Sequence, residues 1–201
     1  MTEAEWLAAT DPTPMLAFLR GKVSERKFRL YACGLYRRIW HELTEIEWRT
    51  AVEKCELLVD GIIKRHDTAG ARRDFRKEAA SVDWTSADDA AWAAVNRKAA
   101  NYHYRQTISG DRAWLKEQCE LAYCIFGNPF RFVTGDPGWI TSVTLSLATR
   151  IYDEKAFDRM PILADALQEA GCDNADILTH CRDDGPHVRG CWVVDLILGK
   201  Q

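Results

Sequence analysis

The sequence predicts an all-α protein: a compact multi-helix bundle with a C-terminal helical subdomain. Three observations predict it. Apolar residues recur at i, i+3, i+4 spacing in nearly every segment. No strand-like alternation runs beyond about four residues. The segments are punctuated by capping boxes, prolines at first helical positions and glycines just past helix ends, with short loops between.

The elements follow in order. Thr2 with Glu5 forms a capping box that opens a short helix around Trp6 and Leu7, and Asp11-Pro12-Thr13-Pro14 breaks it. A second short helix runs from Met15 to Arg20 and stops at Gly21. Ser24 caps a longer helix through Trp40, apolar along Phe28, Tyr31, Ala32, Leu35 and Ile39 and basic along Arg26, Arg29, Arg37 and Arg38. Thr44 and Glu47 open a helix with the clearest amphipathic stripe: Trp48, Val52, Cys55, Leu58, Val59 and Ile62. A charged helix is expected over 71–80 and an Ala-rich one over 87–108. Ser109-Gly110-Asp111 then caps a helix from Arg112 to Phe126.

Residues 127–139, G-N-P-F-R-F-V-T-G-D-P-G-W, hold two prolines and three glycines, which forbid a continuous helix. Phe130, Phe132 and Trp139 predict that this loop packs down rather than floats. The tail then reads as four helices: Trp139 to Tyr152, Ile162 to Ala170 behind Pro161, Ala175 to Arg182 behind Asp173, and a last one from Pro186 to Leu198 closed by Gly199. The expected organisation is a helical body over 1–126, a structured loop over 127–138, and a C-terminal subdomain over 139–201 packed on the body.

Bulk properties narrow the function classes. The chain has 201 residues, 47% hydrophobic and 28% charged, ordinary for a globular protein. Its formal net charge of −3 argues against strong nonspecific nucleic-acid binding. No apolar run reaches the ~20 residues a membrane helix needs. The acidic start M-T-E-A-E-W-L lacks the basic region of a signal peptide. Seven cysteines, mostly inside apolar helical patterns, predict reduced thiols in a cytoplasmic protein. There is no G-x-S-x-G, phosphate loop, G-x-G-x-x-G or H-E-x-x-H, so no enzyme class is indicated.

Two long blocks carry a resemblance. M-T-E-A-E-W-L-A-A-T-D-P-T-P-M-L-A-F-L-R-G-K and R-K-F-R-L-Y-A-C-G-L-Y-R-R-I-W-H lie within residues 1–41. G-N-P-F-R, I-Y-D-E-K-A-F-D-R-M-P-I-L-A-D-A-L-Q-E-A-G-C and G-P-H-V-R-G-C-W-V-V-D-L-I-L-G-K lie within 127–200. They resemble the opening and closing blocks of a large paralogous family of planctomycete bacterial proteins. The resemblance implies a bacterial, cytoplasmic protein and brings no activity with it. Where family members read A-C-A-C-C-R-R-I-W-H, this chain keeps only Cys33.

Three groups of residues could carry function. Cys172, His180, Cys181, His187 and Cys191 crowd the tail, with His187 and Cys191 four apart on one face of the expected last helix. Thiols and imidazoles converging across a helical hairpin can hold zinc tetrahedrally. The spacing is no standard zinc pattern and contains no C-x-x-C. The same cysteines also suit small core hydrophobes, and Cys181 suits a reactive thiol if the last helix docks its start there. Arg26, Arg29, Arg37 and Arg38, with Arg189 in the tail, could face phosphate or a partner; the alternative is a solvated face of local ion pairs. Eight tryptophans, six tyrosines and seven phenylalanines exceed what a small core requires and suit an interaction surface or self-association. The expectation is therefore a non-enzymatic helical interaction or adaptor protein. The alternatives are a zinc- or thiol-dependent protein and a nucleic-acid-associated regulator.

Overall fold

In the computed structural model, the described residues are 1–38, 40–42, 46–64 and 110–200. The expected Thr44 cap and the helices over 71–80 and 87–108 lie outside them. Among the described residues the protein is all-α, with nine α-helices and no strand. They are α1 (Glu3–Leu7), α2 (Pro12–Leu19), α3 (Glu25–Arg38), α4 (Ile46–Val59), α5 (Gly110–Phe126), α6 (Ser142–Glu154), α7 (Met160–Glu169), α8 (Ala175–Arg182) and α9 (Trp192–Leu198). None of these is long and apolar enough to cross a membrane.

Local chemistry sets most boundaries. The Thr2–Glu5 capping box opens α1. Asp11 accepts the Thr13 N–H at 2.8 Å, so α2 begins at Pro12 rather than Met15: proline fits the first turn, where no N–H is required. The helix expected from Trp139 starts at Ser142 instead. Asp136 caps a 3-10 turn over Pro137–Trp139, and Thr141 and Thr144 then cap α6 reciprocally. Asn174, not Asp173, accepts the Ile177 N–H at the start of α8.

The largest departure is in the tail. Residues 183–191 are not the front of a helix, and α9 begins only at Trp192. Gly190 sits at φ +93°, which no right-handed helix tolerates, and its carbonyl accepts the Lys27 ammonium at 2.9 Å. A long-range bond has taken an oxygen that a helix would have used.

Two apolar cores form. The first gathers Trp6, Leu16, Leu19, Phe28, Tyr31, Leu121 and Ile125 from α1, α2, α3 and α5. The second gathers Ile151, Tyr152, Met160, Leu163, Leu167, Ile177, Val193 and Ile197 from α6 to α9. Helix α5 serves both, because Cys124 belongs to the second core while Ala122 and Ile125 belong to the first.

Between the cores lies a buried charge network. Arg26 Nη1 and Nη2 donate to both Asp195 carboxylate oxygens at 2.7 and 3.1 Å, and Nη2 also reaches the Tyr152 hydroxyl at 2.7 Å. Lys27 Nζ lies 2.6 Å from Asp195, and Tyr152 donates to Asp60 at 2.6 Å. The Asp60 and Asp195 side chains are each 2% exposed, so these bonds replace hydration that both carboxylates have lost.

Two outcomes follow for stability. A Cβ at Gly190 would sit 2.8 Å from Leu30 Cδ1, whereas one at Gly171 (φ +89°) would meet nothing within 4 Å. Denaturant unfolding should therefore give Gly190→Ala a loss of about 3 kcal/mol or more, from backbone strain plus overpacking. Gly171→Ala should lose only about 1–2 kcal/mol. Removing the Asp195 charge with Asp195→Asn should cost about 3–5 kcal/mol, because it strands Arg26 and Lys27.

Candidate metal centre

Four potential ligands arrive from three places in the chain. Cys124 lies near the C-terminal end of α5, on the face turned to the second core. His180 is in the last turn of α8. His187 stands in the irregular segment, and Cys191 is the residue just before α9. One ligand atom from each lies within 4.8 Å of all the others. A zinc tetrahedron with Zn–S near 2.3 Å and Zn–N near 2.0 Å has edges of roughly 3.3–3.8 Å, so closing on an ion takes small rotations.

The histidine tautomers are set in the manner of a ligand site. His187 Nε2 lies 3.2 Å from the Asp183 carbonyl, which can only accept, so Nε2 carries the proton. Its Nδ1 is buried and has no hydrogen-bond partner. A ring whose N–H is anchored on a carbonyl and whose other nitrogen is bare matches how proteins orient metal-binding histidines. His180 Nε2 lies 3.2 Å from Cys191 Sγ, and the two imidazoles stand edge to face at 4.8 Å.

The electrostatics of the group set its two cysteines apart. Burial pushes the Cys191 thiol up. The hydrogen bond from Cys124, the charge of His180 and contacts with both imidazoles outweigh it and hold Cys191 well below the usual cysteine range. Cys124 is pushed well up, by burial and by its bond to Cys191. His187 is raised despite burial, chiefly by Cys191.

This corrects the sequence reading in several places. His180, His187 and Cys191 do converge, but His187 and Cys191 do not share a helix face. Cys172 and Cys181 stay out of the group, buried at 2% and 0% exposure in the second core as small packing residues. Cys181 follows His180 directly on α8, and adjacent helical residues point about 100° apart. Burial pushes its thiol, and that of Cys172, up and not down, which argues against a reactive thiol at either. The group member that the sequence reading missed is Cys124. It sits in an apolar helical pattern with no nearby histidine, so nothing local separates it from a core cysteine.

The arginines are also placed otherwise than as a free basic face. Arg26 is in the buried network, and Arg29 is nearly buried against Glu25 at 3.1 Å. Arg37 grips both oxygens of Glu56 at 2.8 Å. Arg38 pairs with Glu117 at 3.1 Å, half-exposed. Arg189 lies 3.5 Å from Asp60 and over the Tyr152 ring. They do not form the phosphate-facing stripe.

A pocket of about 290 Å³ leads from solvent to the centre, lined by Glu120, Asp183 and Asp184 at its acidic part and by Cys124, His180 and His187. A wider groove of about 700 Å³, which shares Tyr123 and His180 with that pocket, runs past Trp6, Phe18, Phe126 and Trp192 and is lined also by Phe132, 94% exposed.

Comparison with protein-family models, curated proteins and solved structures returns no match. The chemistry therefore rests on the geometry alone. In metal-free, reduced protein, thiolate ultraviolet absorbance should appear at lower pH than for an ordinary cysteine, and this early component should vanish in Cys191→Ser. It should move to higher pH in His180→Ala. Because the folded-state value is depressed, this thiolate adds stability above the unfolded cysteine range and loses it as pH falls through the folded value.

Proposed function

We propose that this protein is a non-enzymatic, zinc-binding helical interaction module. A single ion held by Cys124, His180, His187 and Cys191 fastens the C-terminal helices to the body. The observation that carries the reading is the convergence of those four ligand atoms within 4.8 Å, one from α5 and three from the tail. Two thiolates and two imidazoles neutralise a divalent cation and suit zinc by ligand softness. With four protein ligands no coordination position is left for substrate, which is the pattern of a structural rather than a catalytic site. Thiol catalysis through the His180–Cys191 pair is disfavoured because Cys191 is 0% exposed. The interaction role is supported by the apolar groove and by Phe132 in its lining, which suit another protein or a second copy of this chain. Nucleic acid is disfavoured by the paired arginines, and a cytoplasmic setting by preference follows from thiols that must stay reduced.

Elemental analysis of protein purified under reducing conditions should find about one zinc per chain. Cys124→Ser and His187→Ala should each lose most of it, while Cys172→Ala should keep it. Zinc at a thousandfold excess over its Kd should stabilise by about 4 kcal/mol. For a chain of this size that raises Tm by on the order of 10 °C, and a chelator should reverse it. A wild-type protein that neither binds zinc nor shifts Tm would end this reading.

A further inference from the structure

The metal centre contains two sulfurs, and they belong to parts of the chain far apart in sequence. Cys124 is on α5 and Cys191 precedes α9. Their Sγ atoms are no more than 4.8 Å apart, and no disulfide links them. A disulfide needs about 2.05 Å between sulfurs, which side-chain rotation can supply when two thiols already face one another. The pocket that reaches the centre is lined by Cys124, His180 and His187 but not by Cys191. The pocket thus gives a small oxidant a route to Cys124, whose sulfur lies within 4.8 Å of that of Cys191. Cys172 and Cys181 line none of this pocket and lie in the packed second core.

We infer that Cys124 and Cys191 form an oxidation site: a peroxide admitted through this pocket joins them as a disulfide and releases the metal. The step balances with hydrogen peroxide as the oxidant. In the zinc-loaded protein ligation holds both sulfurs as thiolates, so the Cys124 sulfur attacks one peroxide oxygen and the O–O bond breaks, giving a sulfenic acid and hydroxide, which takes a proton from solvent to become water. The Cys191 sulfur then attacks the Cys124 sulfur. The S–S bond forms, the S–OH bond breaks, and the second hydroxide leaves as water with another proton. Two cysteines are oxidised by two electrons and one peroxide is reduced to two waters. The centre, left with two imidazoles, no longer matches the charge or the coordination number of a zinc ion. The ion is lost, while a covalent bond keeps α5 tied to the start of α9. A dithiol reverses the step by thiol–disulfide exchange. The consequence for the ion rests on the zinc reading above; the bond itself does not.

The test uses the full chain, zinc-loaded, treated with hydrogen peroxide, alkylated, digested without reduction and mapped by mass spectrometry. Zinc release is followed in parallel with a coloured chelator. The expected result is one zinc released per Cys124–Cys191 cross-link, both reversed by dithiothreitol and added zinc. The cross-link should be absent in Cys124→Ser and unchanged in Cys181→Ala. Since Cys124→Ser alters the centre itself, reduced metal-free wild type is mapped as well and should give the same cross-link. If no zinc binds but this cross-link forms, the zinc reading fails and the cysteine pair stands. If zinc binds and peroxide leaves it in place, gives only sulfinic acid on single cysteines, or joins Cys33 to Cys55 instead, this inference is overturned and the zinc reading stands.

Discussion

The bidentate pairing of Arg26 with Asp195 holds the molecule in its arrangement. Both groups are withdrawn from water, at 13% and 2% side-chain exposure, and they come from opposite ends of the chain. Burying a carboxylate alone would cost several kcal/mol, so Asp195 stays buried only while α3 and α9 remain together. Lys27 adds a second contact to Asp195 and takes the Gly190 carbonyl. Tyr152 brings α6 into the same network through Arg26 and Asp60. Such a network is weak evidence for high stability, since an apolar replacement of equal shape could do as well. What it supplies is register: only one placement of α9 satisfies every partner.

The candidate metal centre inherits that register. His187 and Cys191 sit on the segment whose end is pinned by Lys27 to Gly190 and by Arg26 to Asp195. Gly190 lies close against Leu30 of α3, so the segment cannot lift without opening the contact between the cores. Arg37 and Lys155 meet on Glu56 and make a second link, between α4 and the end of α6. A centre whose ligands come from α5 and from the tail can close only when both links are made. Under the zinc reading, metal binding and docking of the two cores would be one equilibrium seen from two sides.

The thiols divide by environment. Cys172 and Cys181 are surrounded by apolar groups, which favours the neutral thiol and leaves them as packing residues. Cys191 is as deeply buried but faces two imidazoles and a second thiol, which favours the anion. Burial alone therefore does not separate an inert cysteine from a ligand; the polar groups facing the sulfur do.

The amino-acid order by itself determined the helical class and where several helices begin and end, because caps, prolines and apolar spacing act over three or four residues. The Thr2–Glu5 box, the break before α6 and the stop at Gly199 are all of this kind. It determined equally that thiols and imidazoles crowd the tail. Tertiary structure alone decided which of them meet. Cys124 joins because α5 turns one face to the second core, and Cys181 is excluded because its side of α8 faces apolar neighbours. Residues 183–191 are irregular, with Gly190 at positive φ and its carbonyl bonded to Lys27, more than 150 positions earlier. The arginines of α3, which a sequence shows only as a basic face, found carboxylates on α4 and α9. Contacts between residues far apart in the chain leave no periodic trace in it, and this site is built from such contacts.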